Sequence, residues 1–287
     1  TGAEQLQQYL PLLQGKRVGV LVNQTSLVGG QHLVDVLLAN KVNIVSIFAP
    51  EHGFRGDYDA GASVKNSSDS KTGLPLLSLY GASKKPSARQ MQELDVVIFD
   101  IQDVGVRYYT YISSMHYMME AAAEHNVAML VLDRPNPNGA YIDGPVLDSA
   151  FQSFVGMHAI PLLHGMTVAE LAQMIKGEHW IANADKLQLH VVPLSGYQRS
   201  QHYSLPVKPS PNLPNDQAIA LYPSLGFFEA TPLSVGRGTE FPFQVIGYDK
   251  FSPAGFQFMP VSIPGAALTP PLMDKLLHGE DYAEAAE

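Results

Sequence analysis

Apolar and polar positions in the first half of the chain come in blocks. Four short runs rich in Val, Ile and Leu each stop at a polar cluster. Arg17–Val22 ends in Asn23-Gln24-Thr25-Ser26, and Val42–Phe48 ends in Ala49-Pro50-Glu51-His52-Gly53. Asp95–Phe99 ends in Asp100-Ile101-Gln102-Asp103-Val104-Gly105-Val106-Arg107, and Val127–Leu132 ends in Asp133-Arg134-Pro135-Asn136-Pro137. Consecutive apolar, β-branched residues are the pattern of strands buried on both faces. If the four are neighbours in a parallel sheet, their clusters line one edge, where open α/β proteins bind ligands.

Helical spacing fills the intervals. His32–Asn40 reads as a short amphipathic helix after the first run, and Tyr111–Glu124 plays the same part before the fourth. This alternation predicts βαβ crossovers and an α/β fold with a doubly wound sheet. Thr167-Val168-Ala169-Glu170 is a capping box opening a helix whose apolar face holds Val168, Leu171, Ala172 and Ile175, and Leu187–Pro193 reads as a further strand. The stretch Gly53–Pro86, rich in Gly, Ser, Asp and Lys, reads as a long excursion with a short strand at Pro75–Tyr80. From Tyr197 onward Pro206, Pro209, Pro211, Pro214, Pro223, Pro232 and Pro242 interrupt every periodicity. A larger α/β domain over 1–196 and a smaller, proline-rich domain over 197–287 are therefore expected, the latter with a proline-initiated helix at Pro270–Leu277.

Composition narrows the partners. A chain of 287 residues with 46% hydrophobic content can bury a substantial core. A formal net charge of -9, with no run of Lys and Arg, gives no attraction to a nucleic-acid backbone. No apolar stretch approaches the roughly 20 residues of a membrane span, and no signal peptide stands at Thr1, so the chain as given reads as soluble. The absence of cysteine excludes disulfides and thiolate chemistry. Ten histidines without His-x-x-x-His or His-Glu-x-x-His spacing give no metal site, and no cofactor is expected. A P-loop, a Gly-x-Gly-x-x-Gly turn and a Gly-x-Ser-x-Gly elbow are all missing.

The clusters themselves suggest acid–base chemistry. Glu51, Asp100, Asp103 and Asp133 each follow an apolar run, and carboxyls meeting at a strand edge can divide general acid and base roles. An aspartate after a strand can equally cap the next helix, and this alternative stands for Asp100 and Asp133. Glu51 is framed by Pro50 and Gly53, and His52 beside it suits direct substrate contact. Arg107, Arg134 and Arg237 sit among prolines or glycines that shape the backbone, a setting for bidentate recognition of carboxylate or phosphate. A salt bridge stapling the loops is the other account of the arginines. One of Tyr108, Tyr109 and Tyr111 could stack on a sugar ring, although tyrosines also fill cores.

Phe48–Gly56, Asp100–Tyr111 and Leu132–Pro137 resemble the signature of the NamZ-type exo-β-N-acetylmuramidases. The resemblance continues in order through His164–Ala172, Pro209–Pro214 and Ser234–Thr239. It implies a Rossmann-like larger domain with a mainly parallel sheet, a smaller α/β domain, and a site in the cleft between them. It further implies release of terminal N-acetylmuramic acid from the non-reducing end of peptidoglycan fragments. The partners would then be muramyl saccharides, met by a periplasmic or secreted bacterial protein in cell-wall recycling. Glu51 matches the family's candidate catalytic acid, with Asp100 or Asp103 as its partner carboxylate. The lactyl carboxylate of muramic acid would give one arginine an anionic partner. Asn23, Gln24, His52, Arg55, Arg107, Tyr109, Asp133, Arg134, Asn136, Asn212, Glu229 and Arg237 are expected on the substrate side.

The chain departs from the family's pattern twice. Glu229 stands in Phe-Glu-Ala-Thr where the family reads Phe-Glu-Gly-Thr, and the region after Pro260 looks shortened. Carboxyls roughly 5–5.5 Å apart would mean retention and roughly 6.5–9.5 Å inversion, while a third route uses the substrate's own acetamido oxygen. The sequence leaves all three open. A non-catalytic peptidoglycan or sugar-binding protein using the same cleft is the competing reading, against which the framing of Glu51 speaks.

Overall fold

A computed structural model describes residues 1–50, 54, 67–81, 83–253 and 255–284. The strongly apolar segments become the strands of one sheet: β1 (Val18–Val22), β2 (Ile44–Ala49), β3 (Pro75–Ser78), β4 (Val96–Asp100), β5 (Ala128–Leu132) and β6 (Leu189–Val192). Every residue of β1 and β4 is buried, as the uninterrupted apolar runs require. All six run parallel, and Ser67–Ser68 adds antiparallel to β3 at one edge. Across the sheet the order is β3-β2-β1-β4-β5-β6. That is the strand order of a Rossmann-like, doubly wound sheet, and it places the topological switch point between β1 and β4.

Five helices accompany this sheet. α1 (Leu6–Leu13) precedes β1, α2 (Leu33–Ala39) joins β1 to β2, and α3 (Ala88–Gln92) precedes β4. α4 (Tyr111–His125) and α5 (Val168–Gly177) make the β4–β5 and β5–β6 crossovers. α5 opens on the expected capping box: the Thr167 side chain accepts from the Glu170 N–H, and Glu170 reaches back to the Thr167 N–H at 2.9 Å. Its face of Val168, Ala169, Leu171, Ala172 and Ile175 is buried. The core packs β-strand residues such as Val20, Ile47, Ile98 and Leu130 with Leu33, Val34 and Leu37 of α2. Among the described residues no helix is long and apolar enough to cross a membrane.

The chain passes from the larger compact unit to a smaller one between Tyr203 and Ser204. The smaller unit contains α6 (Asp216–Leu225) and an antiparallel sheet of β7 (Val245–Tyr248), β8 (Phe256–Phe258) and β9 (Leu277–Asp281). α6 forms despite Pro223, which occupies its last turn, and is opened by Asn215, whose Oδ1 accepts from the Ala218 N–H at 2.8 Å. Its core joins Val245, Phe258 and Leu277 to Phe241, Phe256 and Leu272.

One expectation is corrected here. Pro270–Leu277 is not helical: Leu272 and Asp274 take left-handed φ values of 58° and 61°, which α-helical geometry forbids, and the chain turns into β9 at Leu277. After Pro260 the chain supplies β9, the central strand of its sheet, between β7 and β8.

Candidate active site

The registers bring the clusters after β1, β4 and β5 together. Val22 of β1 pairs with Asp100 of β4, and Phe99 pairs with Val131 of β5, so the three runs end at nearly one level. Their loops are then tied to each other. The Thr25 hydroxyl donates to Asn23 Oδ1 at 2.6 Å and accepts from the Gln102 N–H at 3.0 Å. The Ser26 hydroxyl donates to the Asp100 carbonyl. Gln102 Nε2 donates to the carbonyls of Asp103 at 2.8 Å and Pro135 at 2.6 Å. Thr25, Ser26 and Gln102 thus fix the edge on which the charged residues stand.

Several sequence candidates are committed to this scaffold. Asp100, 0% exposed, and Arg134, 5% exposed, form a bidentate ion pair with Nε–Oδ1 at 2.6 Å and Nη2–Oδ2 at 2.9 Å. Arg134 Nη2 also reaches the Leu27 carbonyl at 3.2 Å. The pairing satisfies both carboxylate oxygens. Asp133 takes its structural alternative as well. Its Oδ1 accepts from the N–H groups of Ala169 at 3.0 Å and Arg134 at 3.1 Å, and its Oδ2 accepts from the Thr167 hydroxyl at 2.9 Å, so it caps α5 from the end of β5. Burial raises its carboxyl to about 6 despite those three donors.

Arg107 is likewise a staple. Its Nη1 donates to the carbonyls of Pro145 and Ile160, each at 2.6 Å, and burial lowers its pKa. Asn136 uses both ends of its amide: Nδ2 donates to the Met166 carbonyl at 2.9 Å and Oδ1 accepts from the Asn138 N–H at 2.9 Å. It packs so tightly on Gly105, which has φ 76°, that a Cβ there would lie 2.2 Å from Asn136 Oδ1. Tyr109 is buried, with its ring edge-on to that of Tyr111 at 5.0 Å. Arg107, Asp133 and Asn136 are thus each used in holding loops.

Asp103 is different. It is 4% exposed; its Oδ2 accepts from the Gly105 N–H at 2.9 Å, while its Oδ1 has no hydrogen-bond partner among the described residues. His164, also 4% exposed, stands with Nε2 3.5 Å from Asp103 Oδ2 and makes no hydrogen bond there among the described residues. Asn23, at the end of β1, is fully buried with its Nδ2 unpartnered among the described residues. Leaving a buried polar atom unsatisfied costs about 1–3 kcal/mol, so such atoms mark places where a ligand completes the bonding. All three belong to unit-one segments at or beside the switch point. His164 heads one of the motifs that resemble the family but was not expected in the site, because nothing local in the sequence connects it to Asp103.

Gln24 lines an open pocket of about 520 Å³ next to Leu27, His32, Asp35 and Lys71. In the smaller unit, Arg237 Nε donates to Glu229 at 2.5 Å, its guanidinium lies 4.9 Å from the centre of the Phe243 ring, and Asn212 Nδ2 donates to the Ala266 carbonyl at 2.9 Å. Glu51, His52 and Arg55 lie outside the described residues.

Known proteins share this sequence pattern and fold. Residues 18–217 match the family model described as exo-β-N-acetylmuramidase NamZ, N-terminal, and residues 220–272 match its C-terminal counterpart. The chain is 45% identical over 252 residues to the peptidoglycan β-N-acetylmuramidase NamZ of Bacillus subtilis (strain 168), a match covering 84% of this chain. It spans 59% of that relative's length. A crystal structure of a DUF1343 family protein from Bacteroides fragilis superposes with a TM-score of 0.91 at 48% identity, covering 100% of this chain and 77% of that one. A second such protein from the same species gives 0.86 at 34% identity, covering 98% and 76%. With both of its family models matched in sequence order, the chain belongs to the NamZ exo-β-N-acetylmuramidase family.

Proposed function

We propose that this chain is an exo-acting glycoside hydrolase that releases terminal N-acetylmuramic acid from the non-reducing end of peptidoglycan fragments. Glu51 is the general acid and Asp103 the second carboxylate. The observation that carries the reading is the buried Asp103 carboxyl at the switch point, one oxygen of which has no partner among the described residues, in a chain of the NamZ family. Asp100 is unsuited to the role because Arg134 occupies both of its oxygens. Glu51 enters from the sequence: β2, the neighbour of β1 opposite β4, leads directly into Pro50-Glu51-His52.

In this scheme Glu51 protonates the leaving oxygen, and Asp103 accepts a hydrogen bond from the reacting sugar and offsets positive charge developing on its ring. A periplasmic or secreted location accords with such a substrate.

The test is turnover of a chromogenic N-acetylmuramide and of a muramic acid-terminated disaccharide, with the released sugar identified by mass spectrometry. Wild type is expected to free muramic acid from the non-reducing end, and Glu51→Gln to lose on the order of 10²–10⁴-fold while keeping its unfolding midpoint. Absence of muramic acid release by wild type, or undiminished turnover by Glu51→Gln, would overturn the assignment.

A further inference from the structure

We infer that His164 is a positioning residue for Asp103, its Nε2–H steadying Oδ2 so that Oδ1 is presented to a hydrogen-bond donor of the bound saccharide. The inference rests on the glycosidase reading above and deepens it.

The imidazole is held as a positioning group must be. Its Nδ1 accepts from the Met166 N–H at 3.2 Å, so in the neutral ring the proton sits on Nε2, the nitrogen that faces Asp103. Met166 is itself fixed through its carbonyl, which accepts from Asn136 Nδ2 at 2.9 Å. The backbone of Leu163–His164 pairs antiparallel with Ile142–Asp143. On the side of the Asp103 loop, the His164 N–H donates to the Gly105 carbonyl at 3.3 Å and the Arg107 N–H donates to the Leu162 carbonyl at 2.9 Å. The strand segment carrying His164 is therefore laced to the same loop that carries Asp103, between Gly105 and Arg107.

The carboxyl is oriented to match. The Gly105 N–H at 2.9 Å and the His164 Nε2 at 3.5 Å both address Oδ2, and neither addresses Oδ1. An ionised carboxylate can only accept, so what completes Oδ1 must donate, as a sugar hydroxyl or amide does. A separation of 3.5 Å is long for a hydrogen bond, and such contacts commonly shorten when substrate is bound.

Two substitutions separate positioning from structural support. His164→Asn keeps an acceptor where Nδ1 meets the Met166 N–H but has nothing at the place of Nε2, whereas His164→Gln returns an amide N–H near that place. The expected result on the chromogenic muramide is a loss of roughly 100-fold in kcat/KM for His164→Asn, carried mainly by kcat, with an unchanged unfolding midpoint. His164→Gln recovers most of it. The double variant with Asp103→Asn is no slower than Asp103→Asn alone, because the histidine acts through the carboxylate.

Wild-type kinetics in His164→Asn, a loss that follows the unfolding midpoint and is not recovered by Gln, or losses that multiply in the double variant would each overturn the inference. Calorimetric binding of a muramic acid disaccharide supplies the same cycle without turnover. If wild type binds but does not cleave, the hydrolase assignment falls, while non-additive weakening by the two substitutions still upholds the His164–Asp103 pairing. If wild type does neither, both fall.

Discussion

Removing Arg134 tests whether Asp100 is structural. Arg134→Met leaves a carboxylate with 0% exposure facing no counter-charge, in place of two charge-assisted contacts at 2.6 and 2.9 Å. Breaking one side of a buried pair costs about 3–5 kcal/mol, because the remaining charge is stranded away from water. At about 2–4 °C per kcal/mol for a unit of this size, the unfolding midpoint should fall by roughly 6–20 °C. Replacing both partners by apolar residues, Asp100→Val with Arg134→Met, removes the stranded charge and should restore most of that loss. Thermal and urea unfolding of the two single variants and the double variant give the cycle, and the muramide assay on the double variant reads chemistry separately. A penalty below about 1 kcal/mol for Arg134→Met would mean that the pair behaves like an exposed one, refuting its buried structural role. A double variant that is stable yet inactive would return Asp100 to the chemistry.

Two further outcomes follow from the same loops. Burial raises the Asp133 carboxyl from 3.8 to about 6, so the folded protein binds this proton more tightly than the unfolded chain does. The resulting stabilisation is complete below pH 3.8 and is lost as pH rises through about 6, a swing of about 3 kcal/mol for this group. Asp133→Asn should therefore narrow the stability difference between acidic and neutral pH in urea unfolding, and an identical pH profile would contradict the assignment. Gly105→Ala forces a side chain into φ 76° and against Asn136 Oδ1, at a cost of at least about 1–2 kcal/mol from the backbone alone. It should also lower turnover by displacing the Asn136 support of Met166 and His164; a variant with unaltered midpoint and unaltered rate would rule this out.

The apolar runs of β1, β2, β4 and β5 were legible because burial on both faces demands unbroken Val, Ile and Leu. The capping box of α5 was legible because its two hydrogen bonds are local. Sequence alone could not rank Asp100 against Asp103, which both follow the same strand. What separates them is Arg134, 34 positions away from Asp100 in the chain. His164 was hidden for the same reason, its partner being brought near by backbone bonds between Leu162–His164 and Gly105–Arg107. β9 was missed because Leu277-His278-Gly279-Glu280-Asp281 is polar, its place in the sheet being secured by backbone pairing on both sides. Arginines in rigid loops look alike whether they await a ligand or grip a carbonyl, and Arg107 and Arg134 do the latter.

The central position of β9 bears on the order in which the protein can assemble during synthesis. β7 and β8 make no ladder with each other; each pairs only with β9 within their sheet, and β9 is translated last of the three. While the ribosome is still adding residues before Leu277, the six parallel strands of the larger unit have all emerged, but β7 and β8 wait with their hydrogen-bonding edges open. A stall or a proteolytic cut ahead of Leu277 would thus expose two adhesive edges at once. Emergence of Leu277–Asp281 is the moment at which that hazard closes.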